Sequence, residues 1–177
     1  MKRTKPPFRA DHVGSYLRSA AITEARAKRD KGQISAADLK KVEDEEIPKV
    51  IKKQEEVGLQ CATDGEYRRM FWHYDFYDGL DNVEVYEMDH GIQFQGVQTK
   101  PKGIRVTGKI DFSKHPMLEH FTFVKNHTKV MPKMCIPAPT VFHFRLEPGA
   151  VGLESHDRLL LPGLRNGVGD LDELARG

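Results

Sequence analysis

One stretch restricts the fold more than any other. From Ser35 to Gly58 the apolar residues Leu39, Val42, Ile47, Val50, Ile51 and Val57 recur at helical spacing, and Gly58 breaks the pattern before an apolar segment with Leu59, Cys61 and Ala62. Ser35-Ala-Ala-Asp38 supplies a start signal, a capping hydroxyl with a carboxylate three residues later. The pattern predicts one long amphipathic helix, kinked at Pro48 and ending at Gly58, that feeds a buried strand. Helix, glycine, buried strand and polar loop are the αβ half of a βαβ unit, so parallel strand pairing is expected.

The preceding residues complete that unit. Phe8-Arg-Ala-Asp-His-Val-Gly-Ser-Tyr16 predicts a short strand entering a Gly14-Ser15 turn, and a helix from about Ser19 to Lys31 follows, stopped by Gly32. Backbone amides at the turn, with the Ser15 hydroxyl, can hold a carboxylate or phosphate. Alternatively Gly14 and Ser15 only end the strand and cap the helix. After the second strand, Asp64-Gly65-Glu66 turns the chain outward, and a carboxylate at the C-terminal end of a strand stands where α/β folds place ligand contacts. Glu66 is therefore a candidate substrate contact. The other reading pairs Asp64 and Glu66 with Arg68 and Arg69 on a solvated loop. In the parallel unit the Gly14-Ser15 and Glu66 loops lie at one end of neighbouring strands.

Phe71 to Leu80 holds five aromatic residues in ten, either a stacking surface for a flat ligand or part of a core. From Val83 to Ile110 alternation replaces helical spacing and predicts two or three antiparallel strands, an excursion from the parallel unit, with Lys100 and Lys102 facing an anion or solubilising an edge. Pro116 to His127 reads as an amphipathic helix with Leu118, Phe121 and Val124 inward. Lys129 to Arg145 predicts a third parallel strand whose Pro-Ala-Pro-Thr turn carries Thr140, His143 and Phe144 to the same rim. His115 and His120, five apart, fit neither helical nor zinc-motif spacing and read as surface residues.

The net charge of +2, with 31% charged residues and no clustering of cations, points away from nucleic acid. No run long enough to span a bilayer and no signal-like N-terminus occurs, and Cys61 and Cys135 are too few for a disulfide framework, so a cytoplasmic protein away from membranes is expected. Residues 1–7 are expected to be a flexible terminus.

Taken together, His12-Val-Gly-Ser15, Thr63-Asp-Gly-Glu66-Tyr-Arg-Arg, Gly91-Ile-Gln-Phe-Gln-Gly96 with Thr107-Gly-Lys-Ile110, and Ile136-Pro-Ala-Pro-Thr140 resemble, in order, the catalytic barrel domain of cobalamin-independent methionine synthase, and most closely its short single-domain relatives. The resemblance covers residues 8–145. It implies a (β/α)8 TIM-type barrel, here incomplete at about three βα units with an inserted antiparallel hairpin. It also implies methyl transfer from methyltetrahydrofolate to homocysteine in methionine biosynthesis, through a zinc-bound thiolate. Val13, Gly14 and Ser15 would hold the homocysteine carboxylate and Glu66 its ammonium group. Thr99 and Lys100 would meet the folate, with Phe144 where longer members place a tryptophan near the pterin.

The family takes its zinc ligands from a His-x-Cys motif, a carboxylate and a second cysteine, and no such motif occurs in this chain. Residues 146–177, rich in Pro-Gly and Gly-Val-Gly stretches, depart from the resemblance and read as a divergent, truncated or frameshifted end. The expectation is a chain carrying the homocysteine side of a methyltransferase, with self-association through open barrel edges. The alternative is a non-catalytic barrel remnant that keeps an amino-acid pocket without the metal.

Overall fold

The computed structural model describes residues 4–87 and 102–143. Its elements run α1 (Ala20–Asp30), α2 (Ala36–Glu56), β1 (Cys61–Ala62), α3 (Tyr74–Tyr77), β2 (Asp81–Glu87), β3 (Lys102–Asp111), α4 (Pro116–His127), β4 (Met131–Pro132) and α5 (Pro139–His143). They make an α/β protein with two small sheets, in two units: Met1–Met70 with Glu119–Cys135, and Phe71–Leu118 with Ile136–Gly177.

In the first unit, α2 begins with a complete capping box. The Asp38 N–H donates to Ser35 Oγ and the Ser35 N–H to Asp38 Oδ2, both at 3.1 Å, so two donors of the opening turn are satisfied. The helix continues past Pro48 and turns through Gly58, at φ +84°, into β1. β1 pairs in parallel with β4, Cys61 opposite Met131 and Ala62 opposite Pro132. Ile22 of α1, Ile47 and Ile51 of α2, Ala62, Tyr67 and Val124 of α4 close the core. Each fully buried isoleucine contributes roughly 1.5–3 kcal/mol relative to exposure.

The buried face of α2 is not purely apolar, because Glu43 and Gln54 share it with Ile47 and Ile51. Gln54 does a strand's work: its Oε1 accepts the Thr63 N–H at 3.0 Å and its Nε2 donates to the Thr63 carbonyl at 2.9 Å. Both backbone groups of the first residue beyond β1 are thereby paired inside the protein, where leaving them unpaired is costly.

The segment Phe8–Tyr16, expected as a strand, is irregular. Pro6 and Pro7 remove two donors just before it, and Gly14 at φ +95° breaks an extended run. Side chains hold it instead, with one backbone bond from the Tyr16 N–H to the Gly65 carbonyl at 3.1 Å.

In the second unit, β2 and β3 form the expected antiparallel pair, with Val83 opposite Val106 and Val85 opposite Ile104. The register shifts between Asp81 and Val83, where Asn82 takes φ +57° and its side-chain amide donates to the Lys109 carbonyl at 2.6 Å. The aromatic stretch divides: Tyr74, Phe76 and Tyr77 are buried with Leu80, Val83 and Ile104, while Phe71 and Trp72 stay exposed. Lys102 lies over the Phe71 ring, its Nζ 5.0 Å from the centroid.

His115 is a core residue, contrary to the surface position expected. Its Nδ1 accepts the Met117 N–H at 3.1 Å, which leaves Nε2 to donate to the Phe76 carbonyl at 2.8 Å, and its ring stacks on Phe112 with centroids 4.2 Å apart. Met117, rather than Leu118, joins Phe121 and Val124 as a buried residue of α4. The Pro-Ala-Pro-Thr segment enters the short helix α5, with Thr140 exposed. Thr99, Lys100, Phe144, the Gly91–Gly96 motif and residues 146–177 lie outside the described residues. No helix among the described residues is long and apolar enough to cross a membrane.

Replacing Gln54 by Leu keeps the volume but strands the Thr63 N–H and carbonyl, and is expected to cost about 2–4 kcal/mol in denaturant unfolding. Val57→Ala, at an exposed position of the same helical repeat, is expected to change stability by less than about 0.5 kcal/mol in the same assay.

Candidate functional site

β1 ends in a turn that is buried, not solvated. Thr63, Asp64, Gly65, Glu66, Tyr67 and Arg69 are all inside. The Gly65 N–H donates to Thr63 Oγ1 at 3.1 Å and the Glu66 N–H to Asp64 Oδ1 at 3.0 Å. Gly65 sits at φ +67° and Glu66 at φ +56°. For glycine this region is open, whereas a residue with a Cβ gives up roughly 1–2 kcal/mol there. A Cβ at Gly65 would also press on the Tyr16 and Tyr67 rings at 3.3 Å.

Arginines neutralise and staple this turn. Arg18 Nη2 donates to the carbonyls of Glu66 at 3.2 Å and Arg69 at 2.7 Å, and Arg26 Nη2 to those of Tyr67 at 2.7 Å and Arg69 at 2.9 Å. Arg68 pairs with Asp44 and, at 3.4 Å, with Glu43, and its guanidinium lies 4.9 Å from the Phe123 ring centroid. The Glu66 carboxylate is 3.7 Å from Arg69 Nη2. Glu66 is therefore ion-paired, as the second sequence reading had it, but on a buried turn rather than a solvated loop.

Facing the turn is the Val13-Gly14-Ser15 loop, joined to it through the Tyr16–Gly65 backbone bond. Val13 and Ser15 are exposed and Gly14 is half-buried. Among the described residues nothing accepts the N–H groups of Val13, Gly14 or Ser15. Behind the loop, His12 Nε2 donates to the Gly14 carbonyl at 2.9 Å and the His12 ring stacks on Tyr16, centroids 3.8 Å apart. Asp11 anchors the loop to the sheet: it accepts from Cys61 Sγ at 2.8 Å and pairs with Lys133, whose Nζ also donates to the His12 carbonyl at 2.9 Å.

Sequence reasoning singled out Val13, Gly14, Ser15 and Glu66, whose neighbours Tyr16 and Gly65 the structure joins by one backbone bond. It missed Arg18, Arg26, Asp11, Lys133 and Gln54. A signal existed for one of them: Arg26 follows the buried Ile22 and Ala25 at helical spacing on α1, and so falls on its inner face.

Burial, with the Asp11 carboxylate beside it, pushes the Cys61 thiol up to about 11. Although burial opposes it, the bonds from Cys61 and Lys133 hold the Asp11 carboxyl below its ordinary value. Cys61 is thus a thiol that donates to Asp11. Among the described residues no group of three or more His, Cys, Asp or Glu side chains is placed to hold a metal ion. These residues do not fit the zinc that the family resemblance implies.

His120, expected at the surface, is half-buried beside this charge network. Burial first, and then the charges of Arg68 and Arg69, push its pKa from 6.5 to about 4, against the pull of Asp64 and Glu119. Its share of stability is therefore complete above pH 6.5, where both states are neutral, and is lost as pH falls towards 4 because the unfolded chain takes up the proton first.

Thermal melts are expected to fall between pH 6.5 and 4, and His120→Gln to flatten that fall. Burial raises the Glu43 carboxyl against the pull of Arg68 and Arg26 and acts in the opposite sense above 4.5, so the difference between the two proteins is the readout. Alkylation of the native protein at about pH 8 is expected to modify Cys135 well before Cys61, followed by mass spectrometry; equal rates would contradict the protonated, enclosed thiol.

The profile of the family described as the cobalamin-independent synthase catalytic domain matches residues 8–111. Over 146 residues the chain is 49% identical to the uncharacterized protein YxjG of Bacillus subtilis, a match covering 82% of this chain and 39% of that protein. With YxjH of the same organism the identity is 47%, over 81% of this chain and 38% of that protein. A solved structure from Listeria monocytogenes, a candidate vitamin-B12-independent methionine synthase, aligns with a TM-score of 0.63 at 40% identity, over 80% of this chain and 39% of that one. A 69-residue segment is 35% identical to a 5-methyltetrahydropteroyltriglutamate–homocysteine methyltransferase of Thermosynechococcus vestitus, covering 39% of this chain and 9% of that protein. The chain thus spans well under half the length of the curated relatives it matches. With more than half of its residues matched by the family profile and close kinship to YxjG, the chain belongs to the cobalamin-independent methionine synthase family, in its catalytic domain.

Proposed function

We propose that this chain carries the homocysteine-binding side of an S-methyltransferase built on a (β/α)8 barrel, of which it holds about three βα units, acting in cytoplasmic methionine biosynthesis. The single observation that supports the reading is the Tyr16–Gly65 bond, which joins the segment after Val13–Ser15 to the turn bearing Glu66. A zwitterionic amino acid presents a carboxylate and an ammonium group on one carbon. The amides of Val13, Gly14 and Ser15 with the Ser15 hydroxyl receive the first, and Glu66, at the C-terminal end of β1, receives the second. Held at both groups, the substrate can direct only its thiol side chain away from the turn. The methyl donor, methyltetrahydrofolate on this reading, falls to the region of Thr99, Lys100 and Phe144.

Zinc would make the thiol a nucleophile by stabilising its thiolate. The described residues supply no set of ligands for it, so no step is assigned to a metal here. A second reading is a binding module that retains the amino-acid pocket without the chemistry.

Homocysteine is expected to raise the melting temperature of the purified chain, and Glu66→Gln to abolish the shift; an unchanged melt with saturating homocysteine would sink the binding assignment. Elemental analysis of the same sample separates the two readings. Stoichiometric zinc supports the methyltransferase, and zinc-free protein that still binds homocysteine supports the binding module.

A further inference from the structure

We infer that Asp64 and Arg18 are positioning residues that fix the backbone of Glu66 and so aim its carboxylate, an inference that rests on the proposed role of Glu66 as the ammonium contact. Glu66 is a non-glycine residue at φ +56°, directly after Gly65 at φ +67°. Two successive left-handed residues reverse the chain sharply, and a side chain at the second persists only where its surroundings over-determine it. Here they do. The Glu66 N–H is taken by Asp64 Oδ1 at 3.0 Å, and the Glu66 carbonyl receives Arg18 Nη2 at 3.2 Å. The carbonyl also accepts the Arg69 N–H at 3.2 Å across the turn, so Asp64 and Arg18 add a side-chain bond at each backbone group of a residue that lies in no helix or sheet.

The neighbouring bonds make the arrangement rigid on either side. Thr63, just before, is clasped by Gln54 through its N–H and its carbonyl. Just after, the Tyr67 and Arg69 carbonyls receive Arg26, and Arg18 takes the Arg69 carbonyl as well. Asp64 itself is buried at 2% exposure, with Oδ2 lacking a hydrogen-bond partner among the described residues. A buried carboxylate bonded through one oxygen is a poor device for stability alone. Glycine at position 66 would relieve the backbone, yet it would remove the carboxylate. The geometry accepts strain and a buried charge, and what it secures is the direction of one acidic side chain.

The test compares homocysteine with 4-mercaptobutyrate, which has the same chain, thiol and carboxylate but no amine, by calorimetry on wild type and variants. If the positioning holds, Asp64→Ala and Arg18→Met lose roughly tenfold or more of the preference for the amine-bearing ligand, while Asp64→Asn, which keeps an acceptor oxygen, stays within about threefold of wild type. General loosening of the fold would weaken both ligands alike and leave the preference intact. Should Asp64→Ala keep the preference while Glu66→Gln loses it, the positioning role is overturned and the role of Glu66 stands. Preference surviving in Glu66→Gln overturns both.

A second measurement needs no ligand. Hydrogen exchange at the Glu66 amide is expected to accelerate in Asp64→Ala and to stay slow in Asp64→Asn, with melting curves confirming that both variants are folded. Unchanged exchange in folded Asp64→Ala would overturn the positioning role whether or not homocysteine binds.

Discussion

The turn from Thr63 to Arg69 is the constraint around which the first unit is built. It takes a polar, charged loop into the interior, where every unpaired carbonyl and every uncompensated charge is costly. Gln54, Arg18 and Arg26 answer the carbonyls, and Glu43 and Asp44 answer Arg68. Because these partners come from α1, α2 and the segment before α1, the helices are held around the turn by polar contacts as well as by the isoleucine core. Loss of Gln54 or Arg26 leaves a carbonyl of the turn without its side-chain complement, so stability and site geometry are coupled.

That coupling gives the site its character. Ligand-binding loops commonly sit on the surface and move, yet here the acidic residue is on a buried turn whose conformation is set by side chains around it. The facing loop is different in kind: Val13 and Ser15 are exposed, and the loop is tethered from behind by Asp11, Lys133 and the His12–Tyr16 stack. The thiol of Cys61, under the loop, belongs to the tether and stays protonated.

Family kinship and local chemistry carry different weights. Membership follows from similarity along most of the chain, whereas the ability to run the reaction depends on ligands for a metal and on a donor pocket. The relatives matched are more than twice as long as the aligned segment.

Much of the architecture was legible in the sequence because it depends on neighbours along the chain. The capping box at Ser35, the period of α2, the break at Gly58, the helix from Pro116 and the antiparallel pair all follow from local patterning. The turns at Gly14 and Gly65, and the place of Glu66 just beyond β1, were legible for a similar reason, since glycines and a polar loop after a strand are local signals. Tertiary structure alone decided the rest. Phe8–Tyr16 has strand-like composition but is held by side chains from distant positions, and His115 and His120 are enclosed by residues that come near only on folding. Arg18 and Gln54 look like ordinary solvated residues until the turn from Thr63 is packed against them. A sequence records which groups are polar; only the folded chain determines which of them lose water, and that loss makes each hydrogen bond at Glu66 matter.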